Sequence, residues 1–191
     1  MNIAKINPCS IADGPGVRVS VFVSGCRRHC PGCHNVEAWD FGCGEPYTEQ
    51  TREYILALLE PDYIDGITIM GGEPFEPENI PGVAEIVQIA KESGKSIWIY
   101  SGYTLEQLVN RARTEREIWY ILGTADVLVD GEYREDERDI TLKYRGSRNQ
   151  RVIDLRKTVC IIDPLENRMK VKAVLLEGEK EWRKRKNQDM G

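Results

Sequence analysis

The sequence predicts an α/β fold in which parallel strands alternate with helices. Short apolar segments rich in β-branched residues alternate at least three times with segments whose apolar residues recur at helical spacing. This order favours parallel strands joined by helical crossovers. Glycines and polar residues follow directly on the predicted strands. In such sheets the functional groups collect at the carboxyl ends of the strands, so we expect the site there.

The first strand is predicted over residues 17–23, where every second residue is a valine. An alternation with a period of two is typical of a strand. The strand ends at Ser24-Gly25, and the cysteines Cys26, Cys30 and Cys33 follow at once. The cysteine cluster therefore lies on the loop that leaves a strand.

The next elements follow in chain order. Pro81 suits the first turn of a helix and Gly94 its end, and Thr104 with Gln107 forms the pattern of a capping box. The predicted elements are a helix over 50–60, a strand over 67–70, a helix over 81–93, a strand over 96–100, a helix from 104 and a strand over 125–130.

The pattern changes beyond residue 144. Residues 151–155 and 157–162 are predicted to be short strands, and the alternation over 169–173 predicts a hairpin that turns at Asp163-Pro164. A densely charged tail follows from Glu177. We therefore divide the chain into a core over 1–155 and a C-terminal extension over 156–191.

Composition excludes several classes of protein. The net charge of −5 gives no reason to expect nucleic-acid binding. No apolar segment approaches the ~18–20 residues that a membrane span needs, and the N-terminus lacks the apolar core of a signal peptide. We expect a cytoplasmic protein that binds neither membrane nor nucleic acid.

The six cysteines indicate metal or redox chemistry. Disulfides are disfavoured in a reducing compartment, and the cluster of three is too compact to connect distant parts of a fold. One hypothesis is a structural zinc site with His29, His34 or Cys43 as the fourth ligand, although no second C-x2-C knuckle exists. The other is an iron–sulfur cluster, which normally takes four cysteines; three would leave one iron open to a ligand. Arg27, Arg28 and Lys5 are candidate sources of positive charge near the thiolates.

The spacing C-x3-C-x2-C of Cys26, Cys30 and Cys33 resembles the signature of the radical S-adenosylmethionine (SAM) enzymes. The resemblance implies that these cysteines are the catalytic metal ligands of one [4Fe-4S] cluster. It also implies that the amine and carboxylate of SAM bind the fourth iron. Transfer of one electron to the sulfonium then leaves methionine and a 5′-deoxyadenosyl radical.

A second element, Gly71-Gly72-Glu73-Pro74, resembles the GGEP motif of the same family. The resemblance implies that Glu73 accepts a hydrogen bond from the SAM ammonium, while the glycines allow the backbone to approach a ligand closely. Asn149 is a weaker candidate for a SAM contact. The predicted cofactor-binding residues are Gly32, Cys33, His34, Gly71, Gly72, Glu73, Ser101 and Asp130.

Four further segments resemble the glycyl-radical-enzyme activases, and most of all those that serve anaerobic ribonucleoside-triphosphate reductases. The segments are DGPGVR at 13–18, CPGCHN at 30–35, DVLVDGEY at 126–133 and GSRNQRVID at 146–154. Over residues 3–155 the resemblance implies an incomplete (βα)6 TIM-like barrel of the radical SAM type. It implies a glycyl radical made on the reductase, and an electron donor such as flavodoxin or ferredoxin.

Three alternatives stay open. The first is activation of that reductase, and the second is the same radical chemistry on another target, either a glycyl-radical enzyme of the formate-lyase type or a small molecule. A metal module without catalysis is the remaining class. The extension has no counterpart in the resemblance and is either a solvated tail or a docking element, which leaves the partner open.

Overall fold

The computed structural model describes residues 1–163 and 168–176, and only the backbone of residues 161–163 and 168–169. Within these residues the chain forms one seven-stranded sheet, a separate pair of strands and four α-helices. The strands are β1 (Asn2–Ser10), β2 (Arg18–Val23), β3 (Glu45–Pro46), β4 (Gly66–Gly71), β5 (Ser96–Ser101), β6 (Val127–Asp130), β7 (Arg151–Asp154), β8 (Val159–Asp163) and β9 (Arg168–Lys172). The helices are α1 (Glu49–Leu59), α2 (Ile80–Glu92), α3 (Leu105–Arg111) and α4 (Arg116–Thr124).

The central sheet has the order β3-β1-β2-β4-β5-β6-β7. Strands β2, β4, β5 and β6 are parallel to their neighbours in this series, whereas β1 and β7 flank them antiparallel. The α/β prediction with parallel strands is confirmed. The described residues contain four such parallel strands rather than six, and the incomplete (βα)6 barrel is not confirmed.

One face of the sheet packs on the helices. Alternate residues of the parallel strands, among them Val21, Ile69 and Ile99, are buried in one apolar cluster with Ile86 of α2 and Leu108 of α3. The predicted capping box opens α3, because the Thr104 hydroxyl accepts the Gln107 N–H at 3.3 Å and the Gln107 side chain accepts the Thr104 N–H at 2.9 Å. None of the helices in the described residues is long and apolar enough to cross a bilayer.

Arg18 lies fully buried on the other face of the sheet, at its amino end. Its guanidinium donates to the Thr68 hydroxyl at 2.8 Å, to the Ser96 hydroxyl at 2.8 Å and to the Ile67 carbonyl at 2.6 Å. A Cβ on Gly14 would lie 2.8 Å from the Arg18 side chain. The DGPGVR segment therefore closes the amino end of the sheet and does not reach the carboxyl end.

Replacement of Arg18 by methionine is expected to lower the free energy of unfolding by about 3 kcal/mol or more, because several buried acceptors would lose their donor. Equilibrium unfolding in urea measures the change. Arg52→Met is the control, since Arg52 pairs with Glu49 at the surface of α1 and such pairs contribute about 1 kcal/mol or less. Equal losses in the two variants would contradict the structural role of Arg18.

The extension contains the predicted hairpin strands. β8 and β9 pair antiparallel, and the side chains of Cys160, Val171 and Ala173 pack against the main apolar cluster. Beyond β9 the chain runs along β7, where the Leu176 N–H donates to the Val152 carbonyl at 2.9 Å. Residues 164–167, which include Pro164 of the predicted turn, and the charged tail over 177–191 lie outside the described residues. The division at residue 155 stays a prediction.

Candidate functional site

A cleft of about 200 Å³ opens at the carboxyl ends of the parallel strands. Its wall combines the loop after β2 with the ends of β4 and β5 and the loop after β6. Parallel strands bring these distant segments to one edge of the sheet. The predicted site residues that line it are Cys26, Cys30, Cys33, His34, Gly71, Gly72, Glu73 and Ser101.

The cysteine loop is held by backbone hydrogen bonds. The Cys26 N–H donates to the Trp39 carbonyl at 3.1 Å, and the Cys33 N–H donates to the Cys30 carbonyl at 3.1 Å. The Asn35 N–H lies 3.4 Å from the Cys33 Sγ, which accepts it. The loop is therefore ordered by the chain itself and presents its thiols to one cleft.

All six cysteines are free thiols, and Cys26 is buried while Cys30 and Cys33 are half-buried. Burial raises the pKa of the Cys26 and Cys30 thiols, so their thiolates need a cationic partner such as a metal. Three soft sulfur donors suit iron–sulfur or zinc chemistry. Within the described residues, no group of three or more Cys, His, Asp or Glu side chains is arranged around a single ion.

The glycine pair after β4 joins that strand to the cysteine loop. The Gly72 N–H donates to the Val23 carbonyl at 2.7 Å, and the Glu73 N–H donates to the Gly25 carbonyl at 2.8 Å. A Cβ on Gly71 would lie 2.7 Å from the Val23 oxygen, and one on Gly72 would lie 2.5 Å from the Gly25 oxygen. Both positions exclude larger residues because the backbone of the glycine pair contacts the backbone of residues 23–25.

Glu73 is a buried carboxylate, 1% exposed, at the floor of the cleft. Its oxygens accept the Phe75 N–H at 3.0 Å, the Ser101 hydroxyl at 2.8 Å and the Gly102 N–H at 2.7 Å. Burial raises the pKa of Glu73, and these donors together with the nearby Arg28 guanidinium oppose that shift. The arrangement fixes a carboxylate beside the thiols, where it attracts cations.

The two arginines of the cysteine loop point in different directions. Arg28 lines the cleft, with its guanidinium 4.0 Å from the ring centroid of Tyr103. Arg27 instead pairs with Glu76 at 2.6 Å and also with Glu78. Lys5 is exposed on β1. Arg28 is therefore the member of this trio that brings positive charge to the cleft.

Comparison with known proteins agrees with this site. A family model described as a 4Fe-4S single cluster domain matches residues 12–153. A relative from Salmonella typhi named "Anaerobic ribonucleoside-triphosphate reductase-activating protein" is 40% identical over 160 residues, which cover 82% of this chain and 100% of the relative. The chain belongs to this family of activating proteins. A relative of the same name from Escherichia coli (strain K12) is 38% identical, and the match covers 82% of this chain and 100% of the relative. Another from Enterobacteria phage T4 is 35% identical, and the match covers 80% of this chain and 93% of the relative.

Three predicted site residues do not line the cleft of this activating-protein family member. The Asp130 carboxylate accepts the Leu105 N–H at 2.7 Å and pairs with Arg151, so it caps α3 and does not line the cleft. Asn149 donates to the Glu132 carbonyl at 2.8 Å and lies beside Gly131 of the cleft wall without lining the cleft itself. Gly32 shapes the cysteine loop, because its φ is +73° and a Cβ there would collide with Glu135.

Residues from the late loops also line the cleft, although sequence reasoning did not single them out. Gln150 links two of these loops, since its side chain accepts the Gly146 N–H at 2.8 Å and donates to the Gly131 carbonyl at 3.0 Å. Tyr133 lies beside His34, with ring centroids 5.7 Å apart. Both residues belong to segments that resemble the activases, Tyr133 to 126–133 and Gln150 to 146–154. Each segment overlaps a predicted strand, which was the available signal.

Gly72→Ala is expected to lower the free energy of unfolding by about 1–3 kcal/mol and to reduce bound iron, because the new methyl group would push the Gly25 backbone away. Thermal unfolding and iron analysis measure the two effects. Gly123→Ala is the control: a Cβ at Gly123 meets nothing within 4 Å, and alanine favours helix α4. A Gly72→Ala protein as stable and as rich in iron as the control would contradict the close backbone contact.

Proposed function

We propose that this protein is a radical SAM activase that generates a glycyl radical on an anaerobic ribonucleoside-triphosphate reductase. The observation that carries the proposal is the single cleft shared by Cys26, Cys30, Cys33 and the Gly71–Glu73 turn, in a chain of the activating-protein family. The family model's description supports a [4Fe-4S] cluster. The names of the relatives support the reductase as partner.

Three thiolates of the cysteine loop would hold the cluster and leave one iron for SAM. When bound and reduced, the cluster would supply the one electron that cleavage of SAM between the sulfonium sulfur and the 5′ carbon requires. In the proposed reaction methionine would leave with the electron pair on sulfur, and the adenosyl group would take a hydrogen atom from a glycine Cα of the partner. The radical then resides on that glycine, and 5′-deoxyadenosine is the second product.

The residues of the cleft have separate roles in this proposal. Glu73 accepts a hydrogen bond from the amino group of SAM, and its position is fixed by the Ser101 hydroxyl and two backbone N–H groups. Gly71 and Gly72 keep the end of β4 against the cysteine loop. His34 lines the cleft but is itself exposed, which suits contact with an adenosyl group that enters from outside.

The partner and the fold complete the proposal. A cleft that opens at the sheet edge suits a substrate that is a loop of another protein, and an external donor such as flavodoxin or ferredoxin would supply the electron. We also infer that the four parallel strands are a version of the incomplete (βα)6 barrel with fewer strands. The core over 1–155 would carry the chemistry and the extension over 156–191 would be accessory.

Anaerobic reconstitution with iron and sulfide tests the function. The protein is mixed with reductant, SAM and the reductase, and we expect a glycyl-radical signal in electron paramagnetic resonance together with 5′-deoxyadenosine. The same mixture with a formate-lyase type enzyme is the matched partner control. SAM cleavage without a signal on the reductase would contradict the partner, and zinc without sulfide in the isolated protein would contradict the cluster.

A further inference from the structure

Arg28 has an incomplete set of interactions in the wall of the cleft. Its side chain is 19% exposed, and its Nε is buried with no hydrogen-bond partner. The carboxylates of Glu73 and Glu132 each lie 3.7 Å from a guanidinium nitrogen, which is beyond a good hydrogen bond. A buried donor without an acceptor is unfavourable, so the position favours an acceptor that comes from outside the chain.

The surroundings hold the guanidinium in place. It stacks on Tyr103 at 4.0 Å from the ring centroid, an arrangement that arginine favours over lysine. A Cβ on Gly102 would lie 2.3 Å from the Arg28 Cδ and 2.7 Å from its Nε. The absence of a side chain at Gly102 therefore leaves the space that the Arg28 side chain occupies in the cleft wall.

Opposite charges meet at this point of the cleft. The Arg28 Nε is 3.7 Å from the Glu73 carboxylate, which is itself fixed by three donors. A guanidinium next to a carboxylate matches an amino-acid head group, whose ammonium and carboxylate are adjacent. Arginine binds carboxylates through paired N–H donors in a planar fork.

We propose that Arg28 binds the carboxylate of the methionine part of SAM, while Glu73 accepts a hydrogen bond from its amino group. This inference rests on the proposed function and adds to it the residue that selects the amino-acid head group. Arg27, its neighbour in the chain, does not share this role, because its guanidinium is engaged with Glu76 and Glu78.

Binding of two ligands tests the inference without measuring catalysis. The probes are SAM and decarboxylated SAM, in equilibrium dialysis without oxygen on the reconstituted, unreduced protein. Arg28→Met is expected to weaken SAM binding by about tenfold or more and to change binding of the decarboxylated ligand by about twofold or less. Arg28→Lys keeps the charge but loses the planar fork of donors. Its affinity for SAM is expected to lie between those of the unaltered protein and Arg28→Met. Arg27→Met is the matched control and should bind both ligands like the unaltered protein.

The outcomes separate this inference from the proposed function. If Arg28→Met binds SAM as the unaltered protein does, or weakens both ligands equally, the role of Arg28 is overturned and the activase proposal stands. If the unaltered, cluster-loaded protein binds no SAM, the proposed function fails and the inference fails with it. Iron and sulfide contents are measured for each variant. If Arg28→Met loses its cluster, Arg28→Lys decides the comparison. An affinity of Arg28→Lys for SAM equal to that of the unaltered protein would then overturn the inference.

Discussion

Replacement of Cys26, Cys30 or Cys33 by alanine, one at a time, is expected to abolish SAM cleavage. Each thiol lines the same cleft, and in the proposed function these three thiolates hold the cluster with no spare protein ligand. Loss of one thiolate leaves too few ligands to retain the metal, so we expect a loss of iron, of the visible absorption of the cluster and of 5′-deoxyadenosine formation to background. Iron and sulfide analysis with chromatography of the products measures all three.

Two other cysteines provide matched controls. Cys9 is exposed on β1, and Cys160 lies on β8 against the apolar cluster. Cys9→Ala and Cys160→Ala are expected to keep cluster content and SAM cleavage at the level of the unaltered protein. A Cys30→Ala protein that still cleaves SAM would contradict the ligand assignment, and loss of the cluster in Cys160→Ala would implicate that thiol instead.

Glu73→Gln is expected to weaken SAM binding by about tenfold to a hundredfold and to lower the free energy of unfolding by about 1–3 kcal/mol. The carboxylate accepts from Ser101, Gly102 and Phe75, and an amide NH2 would face one of those donors. The variant also removes the negative charge that, in the proposed function, attracts the amino group of SAM. Equilibrium dialysis with the oxidised, cluster-loaded protein measures the affinity, and thermal unfolding measures the stability.

Glu76 is the matched control for Glu73. It is also a buried glutamate, 2% exposed, but it accepts from the Arg27 backbone and side chain and does not line the cleft. Glu76→Gln is therefore expected to destabilise the fold and to leave SAM affinity within about twofold. If both variants lose the same affinity, the effect of Glu73 is structural, and its role in binding SAM is contradicted.

The parallel part of the sheet could be predicted because its strands have strong local patterns. Alternating valines mark β2, and short apolar segments that stop at glycine mark β4 and β6. The first strand, β1, was missed because its register against β2 shifts twice, and a bulge disrupts the alternation that identifies a strand. Helix α4 was also missed; its nine residues lack a side-chain cap at the N-terminus.

The site could be predicted only in part, because sequence spacing places residues at a sheet edge without fixing side-chain directions. Glu73 and Ser101 meet at the cleft as expected from their strand ends. Asp130 also ends a strand, but β7 brings Arg151 beside it in register, and that long-range pairing has no local signal. The direction of Arg28 depends on Tyr103 and Gly102, which come from a loop far along the chain.

The order of the strands has a consequence for synthesis of the chain. Apart from the two-residue β3 at the far edge, each strand from β2 to β7 lies next to the strand made just before it. A ribosome delivers the N-terminal part first, so the sheet is able to grow by one strand at a time. The thiols emerge early, but the wall that faces them is complete only once Gln150 has been translated. Completion of the cleft wall is therefore a late event in biogenesis, after almost the whole core has been translated.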